Sequence, residues 1–249
     1  MRFTLLKSLG TSITTGALLV SLANAQPRTT VPDTVARIAR TLPDPNDSAK
    51  TLIEVENTGD KAITALTVEH TFPGQRPLDV PASSSEGVLI KPGEKINLIV
   101  SHDWLVSQMK VAAVIFADGT YIGYSKPYDD PTPDFVTGVF TERRAEVAAW
   151  TRWQGVMKSL TGKDPRTALA EFSKMAHTET VEHSFGPGQE QAMGENTVLD
   201  FIQQQVDTAQ RNIESHVWAE PWAWRYLVWF VDDRLQRTGN VVDGKLKVK

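Results

Sequence analysis

The sequence predicts two modules in series, an all-β antiparallel sandwich over residues 51–126 and a small all-α helical bundle over 141–238. Three observations carry this. Short β-prone runs with period-two alternation, separated by turn residues, fill the first region. From Thr141 onward the apolar period becomes 3.6. Between the two, residues 127–140 begin PYDDPTPD, and Pro127, Pro131 and Pro133 deny regular structure there.

Taken in order, residues 1–25 read as a signal peptide. Arg2 and Lys7 give a positive start, a modest apolar stretch runs over 13–22, and Ala23-Asn24-Ala25 has the small-x-small pattern of a cleavage site before Gln26. Thr14, Thr15, Gly16 and Ser21 break the stretch well short of the roughly 20 apolar residues a spanning helix needs. No Arg-Arg pair precedes it, which points to the general secretion route. Cleavage would leave 224 of the 249 residues, with 24 basic against 30 acidic side chains, a formal −6 where the whole chain has −4. Nucleic acid is therefore not an expected partner, because phosphate binding calls for clustered cations.

The chain has no cysteine. Disulfides, thiolate catalysis, Cys-ligated zinc and lipidation on a cysteine are all excluded, so cores alone must hold an exported chain of this size. A short cleaved signal without a disulfide framework predicts a bacterial periplasmic or secreted protein, with no transmembrane segment once the signal is gone.

Residues 26–50, rich in Pro, Thr, Asp and Arg, are expected to form a flexible leader, with the breaker cluster Leu42-Pro43-Asp44-Pro45-Asn46-Asp47 inside it. Strands are expected at 52–56, 63–72, 88–90 and 96–100, separated by Asn57-Thr58-Gly59-Asp60 and Lys91-Pro92-Gly93-Glu94. Period two places Leu66, Val68, His70 and Phe72 on one face, and Ile96, Leu98 and Val100 on one face. His70 thus stands in an apolar row and reads as a core histidine. The continuous apolar run 111–116 predicts a central strand covered on both faces. Asp118-Gly119 predicts a two-residue type I′ turn into a returning strand at 120–124.

The runs VENTGDKAITALTVEH from Val55, LIKPGEKINLIV from Leu89 and VAAVIFADGTYIGYS from Val111 resemble the small immunoglobulin-like or fibronectin-III-like sandwich modules of exported bacterial proteins. The resemblance covers about residues 51–125, rests on turn residues, and implies a fold without carrying over any catalytic residue.

In the helical region, Val147, Trp150, Trp153, Met157 and Leu160 form one stripe that ends at Gly162. A second helix should be capped by Asp164 with Pro165 at its first position, turning Leu169, Phe172 and Met175 inward. Residues 178–195 read as a loop around Gly186-Pro187-Gly188. A third helix should open with Thr197 and Asp200 in capping-box spacing and bury Val198, Ile202, Val206, Ala209 and Ile213. The last, over 221–237, is apolar on most sides and reads as the buried centre of the bundle, leaving 239–249 as a basic tail.

No catalytic, cofactor-binding or metal-ligating residue is assigned from the sequence. The sharpest chemical candidates are His177, Glu179, Glu182 and His183, but in a helix the two histidines would stand about 120° out of alignment. Ser184 lies in no nucleophile elbow, and Gly186-Pro187-Gly188 lacks the lysine of a phosphate loop. Asp129, Asp130 and Asp134 lack calcium-loop spacing. Trp218, Trp222, Trp224 and Trp229 read as core, with Trp218 or Trp224 the outward one if any is exposed. The expectation is an exported, non-enzymatic interaction or cell-envelope-associated protein whose partner is another protein or an envelope component. The alternative is a hydrolase or metal-dependent enzyme sited near His177 and His183. Oligomeric state is left open.

Overall fold

The computed structural model describes residues 31–71, 78–84, 87–101, 108–123, 135–181 and 188–244. The expected signal peptide and most of the Pro/Asp-rich segment lie outside the described residues. Within them, antiparallel strands come first and helices follow, as the change of period predicts. None of these helices is long and apolar enough to cross a membrane.

Strands β1 (Ala36–Asp44), β2 (Asp47–Asn57) and β5 (Lys95–Ser101) form one sheet in the order β1-β2-β5. The other has the order β4-β3-β6-β7, built from β3 (Ile63–Thr71), β4 (Leu78–Ser83), β6 (Gln108–Phe116) and β7 (Tyr121–Gly123). The alternation read from the sequence puts its apolar rows into one cluster. Ile53 and Val55 of β2 and Leu98 and Val100 of β5 meet Leu66 and Val68 of β3 and Val114 of β6. Each such side chain, fully buried, contributes about 1.5–3 kcal/mol. His70 is fully buried on β3, and desolvation lowers the pKa of its imidazole.

β6 is covered on both faces, as its unbroken apolar run requires. The second cover is helix α1 (Phe135–Leu160): Ala113 and Ile115 of β6, with Ala65 of β3, pack against Val136 and Val139. The helical region is therefore seated on the sheet.

The turn signals act through named bonds. Asn57, fully buried, donates from Nδ2 to the carbonyls of Lys61 (2.8 Å) and Ile90 (3.1 Å) and accepts from Gly59 N at Oδ1. The Asp-Gly hairpin departs from the expected type I′. Gly119 N donates to Phe116 O (3.0 Å) and Phe116 N to Thr120 O (2.8 Å), closing a three-residue loop in which Gly119 alone is left-handed (φ 78°). Asp118 instead spends its carboxylate on Thr120 N (3.0 Å) and on Lys61 Nζ (2.7 Å).

Those bonds, that from Lys61 foremost and Thr120 next, hold the Asp118 carboxyl at about 2. The folded value lies below the unfolded one, so the stability Asp118 adds is complete above about pH 4 and is lost as pH falls toward about 2. Asp118→Asn is expected to flatten the acid end of a stability profile in that window and to lower stability at neutral pH, read from urea midpoints across a pH series. An unchanged acid slope would remove this ion pair as a cause of acid sensitivity.

Other expectations fail for identifiable reasons. The leader reading is corrected: part of 26–50 is β1, and its breaker cluster holds the β1–β2 turn. The strand is hard to see because it is an edge, where Pro43 is tolerated, and because its exposed face carries Arg37 and Arg40, paired with Glu56 and Glu54 (2.8 and 2.9 Å). β4, with Pro81, is a second edge strand missed for the same reason. Instead of a strand at 88–90 there is an isolated bridge from Ile90 to Ile63.

α1 starts at Phe135, inside the expected linker, then buries the predicted Trp150, Trp153, Met157 and Leu160 and stops before Gly162 (φ 97°). Helix α2 (Pro165–Thr178) is capped as expected, with Asp164 Oδ1 accepting from Thr167 N (3.1 Å), although Met175 is exposed rather than inward. Helix α3 (Gln189–Glu214) starts well before Thr197, whose hydroxyl bonds back to Met193 O (2.9 Å) within the helix instead of capping it. Helix α4 (Glu220–Val242) runs on through Gly239 into the expected tail. Edge-to-face contacts of Trp153 with Phe172 (5.4 Å) and Trp150 with Phe230 (5.9 Å) tie α1 to α2 and α4.

Candidate functional site

The end of α3 sets the direction of everything that follows it. Val217 N donates to Asn212 O (2.8 Å) and His216 N to Ile213 O (2.9 Å), the bond pair of a Schellman stop. His216 occupies the left-handed position (φ 59°) that glycine usually fills, at a cost of about 1–2 kcal/mol. Trp218 N shares the Asn212 carbonyl, and Pro221 in the first turn starts α4.

From there the spacing is helical. Trp218, Trp222, Tyr226 and Trp229 follow at intervals of four, four and three and fall on one face. Their rings touch in series, with centroids 4.2 Å apart for Trp218–Trp222, 5.6 Å for Trp222–Tyr226 and 6.0 Å for Tyr226–Trp229. Trp222 and Tyr226 are nearly parallel, 7° apart. The Tyr226 hydroxyl donates to Gln205 Oε1 on α3 (2.8 Å), which fixes the middle of the row.

This row is partly in solvent. Trp222 is 46 % exposed, Trp229 58 % and neighbouring Val217 67 %. Trp222, Arg225, Tyr226 and Trp229 line an open groove of about 510 Å³. The expectation for the tryptophans is thus corrected in two ways. They do not all belong to the core, and the exposed ones are Trp222 and Trp229. Trp224 turns back half-buried against Phe172 (5.9 Å), and Trp218 is half-buried beside Trp222.

Arg225 is the charged group of the groove. Its Nε donates to Pro221 O one turn back (3.1 Å), and among the described residues no carboxylate lies within ion-pair distance of it. The other two arginines of α4 are engaged: Arg237 pairs with Asp233 (2.8 Å), and Arg234 lies over the rings of Phe201 and Phe230 (4.9 and 5.0 Å).

The chemical candidates gain little. His177 bridges α2 and α3, Nδ1 lying 2.8 Å from Ser173 O and Nε2 3.0 Å from Asp207 Oδ1, while Glu179 pairs with Arg152. Glu182, His183, Ser184, Gly186 and Pro187 lie outside the described residues, as do Asp129, Asp130 and Asp134. Among the described residues no three His, Asp or Glu side chains stand together as metal ligands. A cavity of about 530 Å³ beside the β6–β7 hairpin is lined by Lys61, Phe116 and Tyr121 among others, but Lys61 is already committed to Asp118. Comparison of the chain with protein-family models, with curated proteins and with solved structures finds no match in any of the three.

Proposed function

We propose that this is an exported, non-enzymatic interaction protein of the bacterial cell envelope, which grips a protein partner with the aromatic face of α4. The observation that carries the reading is the pair of exposed rings, Trp222 and Trp229, joined by half-buried Tyr226 on a helix whose opposite side is buried. Water-facing aromatic rings are costly to keep, and Trp and Tyr are the side chains that give most contact area for least conformational entropy at interfaces. A glycan platform fits less well, because sugar hydroxyls are read by several donors and acceptors around a ring, and beside the already bonded Tyr226 hydroxyl the groove is lined by one other polar side chain, Arg225.

Export rests on Arg2, Lys7 and the Ala23-Asn24-Ala25 site. We read the β module as an immunoglobulin-like or fibronectin-III-like sandwich. That reading is supported by the three-against-four split of strands, the orders β1-β2-β5 and β4-β3-β6-β7, and one apolar cluster fed by both sheets. In this arrangement it is a mount for the helical module.

The test compares baits. The mature chain from Gln26, its Trp222→Ala/Trp229→Ala variant and a Met193→Ala variant, altered at another exposed apolar site, are crosslinked in an envelope fraction. A partner held by the mature chain and by Met193→Ala should fall at least about tenfold with the double tryptophan variant. Partners indifferent to both changes would count against α4 as the docking face.

A further inference from the structure

We infer that the segment docking on α4 is apolar and acidic, an extended or helical stretch of a partner protein that sets aliphatic or aromatic side chains between Trp222 and Trp229 and a carboxylate on Arg225. This rests on the docking reading above and adds the chemistry of the partner.

The charge pattern of the helix carries it. The carboxylates of α4 have partners within the chain: Glu220 faces Arg166 (3.8 Å), Asp232 accepts from Gln154 (2.8 Å), and Asp233 pairs with Arg237 (2.8 Å). Arg225 is exposed in the groove and, among the described residues, is bonded to its own helix alone, through Nε, which leaves its terminal nitrogens to present a fork. A guanidinium fork beside aromatic faces matches a carboxylate next to an apolar side chain, since it gives two parallel charge-assisted bonds while the rings exclude water.

An anionic bilayer is a poorer fit. Such a surface is held by clustered cations, and Arg225 alone is charged among the residues lining the groove. The rings also follow one another in a single file along one helix, which suits a narrow segment better than a plane.

The experiment uses the mature chain and three capped peptides that share one pattern of Leu and Phe. At the remaining positions they carry Asp and Glu, Asn and Gln, or Lys. Binding is followed by tryptophan fluorescence and by two-dimensional NMR at two salt concentrations. The acidic peptide should bind at least about tenfold more tightly than the neutral one, and the margin should shrink as salt rises. In Arg225→Gln the acidic and neutral peptides should converge to within about twofold, and Arg225→Lys should restore part of the difference, a point charge without the fork.

Equal binding of acidic and neutral peptides, still lost in Trp222→Ala, would overturn the acidic partner and leave the docking face standing. Binding unaffected by Trp222→Ala and Trp229→Ala, or absent for all three peptides, would overturn the docking face itself. Preference for phosphatidylglycerol vesicles over every peptide would overturn the protein partner in favour of a lipid surface. Arg225 and Trp222 are exposed, so their variants are expected to keep the circular dichroism of the parent.

Discussion

Gly194→Ala is expected to destabilise the protein by about 2–3 kcal/mol, although alanine is the better helix former by about 1 kcal/mol. Gly194 lies in α3 where it crosses α1. A Cβ built there would sit 2.3 Å from the Glu142 carbonyl oxygen and 3.0 Å from the Ala145 Cβ. The first contact is with backbone, so no side chain can swing away, and the helices must part. Separation loosens contacts beyond the site, because α1 also carries Val136 and Val139 on the sheet. Gly155→Ala is the control. It stands in the same kind of helix with nothing within 4 Å of the added carbon, and should gain about 0.5–1 kcal/mol. Urea midpoints at constant slope give both numbers. A Gly194→Ala protein as stable as the parent would mean that the helices do not approach as closely as described.

Gly194 also shows why part of the fold was hard to read. A glycine in a polar stretch, close after Gly186-Pro187-Gly188, signals a loop, and 178–195 was expected to be one. The structure spends that glycine on a helix crossing, a tertiary use that local propensity does not register. Thr197 misleads similarly, since its hydroxyl serves a cap and an intrahelical back-bond equally well. Legible elements were those in which one physical signal dominates. Asp164-Pro165 could only start a helix, period two in β3 and β5 could only face one way, and the unbroken run of β6 demanded two covers.

The candidate site was half legible. The tryptophan cluster stands out in the sequence, but which rings face water depends on where α2 and α3 pack against α4. Phe172 claims Trp224 and Gln205 claims Tyr226. No periodicity argument contains those two contacts. Arg225 carried no signal at all, because an arginine in a helix is ordinary until its neighbours' carboxylates are found paired elsewhere.

The second large effect is expected at the seam between sheet and helices. Arg143→Ala should cost about 3–5 kcal/mol, the range for removing one member of a buried charge network. Arg143 is only 2 % exposed and reaches from α1 to the β module, donating from Nη2 to Thr64 O on β3 (3.0 Å) and to Ser84 O just after β4 (2.9 Å). Burial lowers its pKa to about 10, against the opposing pull of Glu146 and Glu142, so it is charged at neutral pH. Without it Glu146, itself buried, loses the charge of Arg143, and the Ser84 and Thr64 carbonyls lose the bonds from Nη2, Thr64 O keeping the one from Ser84 N. Burial already raises the Glu142 pKa and Arg143 opposes that rise, so the variant should push Glu142 further toward its neutral form. Arg143→Lys keeps the charge on a side chain one bond shorter than the path to Nη2, and should fall between. Arg143→Met keeps the stem, so the gap between Met and Ala measures packing alone. Six of the seven tryptophans lie beyond Thr141, which makes fluorescence a report on the helical module while far-ultraviolet dichroism reports on both. In the parent the two urea transitions should coincide; in Arg143→Ala they should separate, because the bond that makes unfolding of one module cost the other is gone. Coincident transitions with a loss under about 1 kcal/mol would instead assign the seam to the Ala113, Ile115, Val136 and Val139 contact, with Arg143 contributing nothing net.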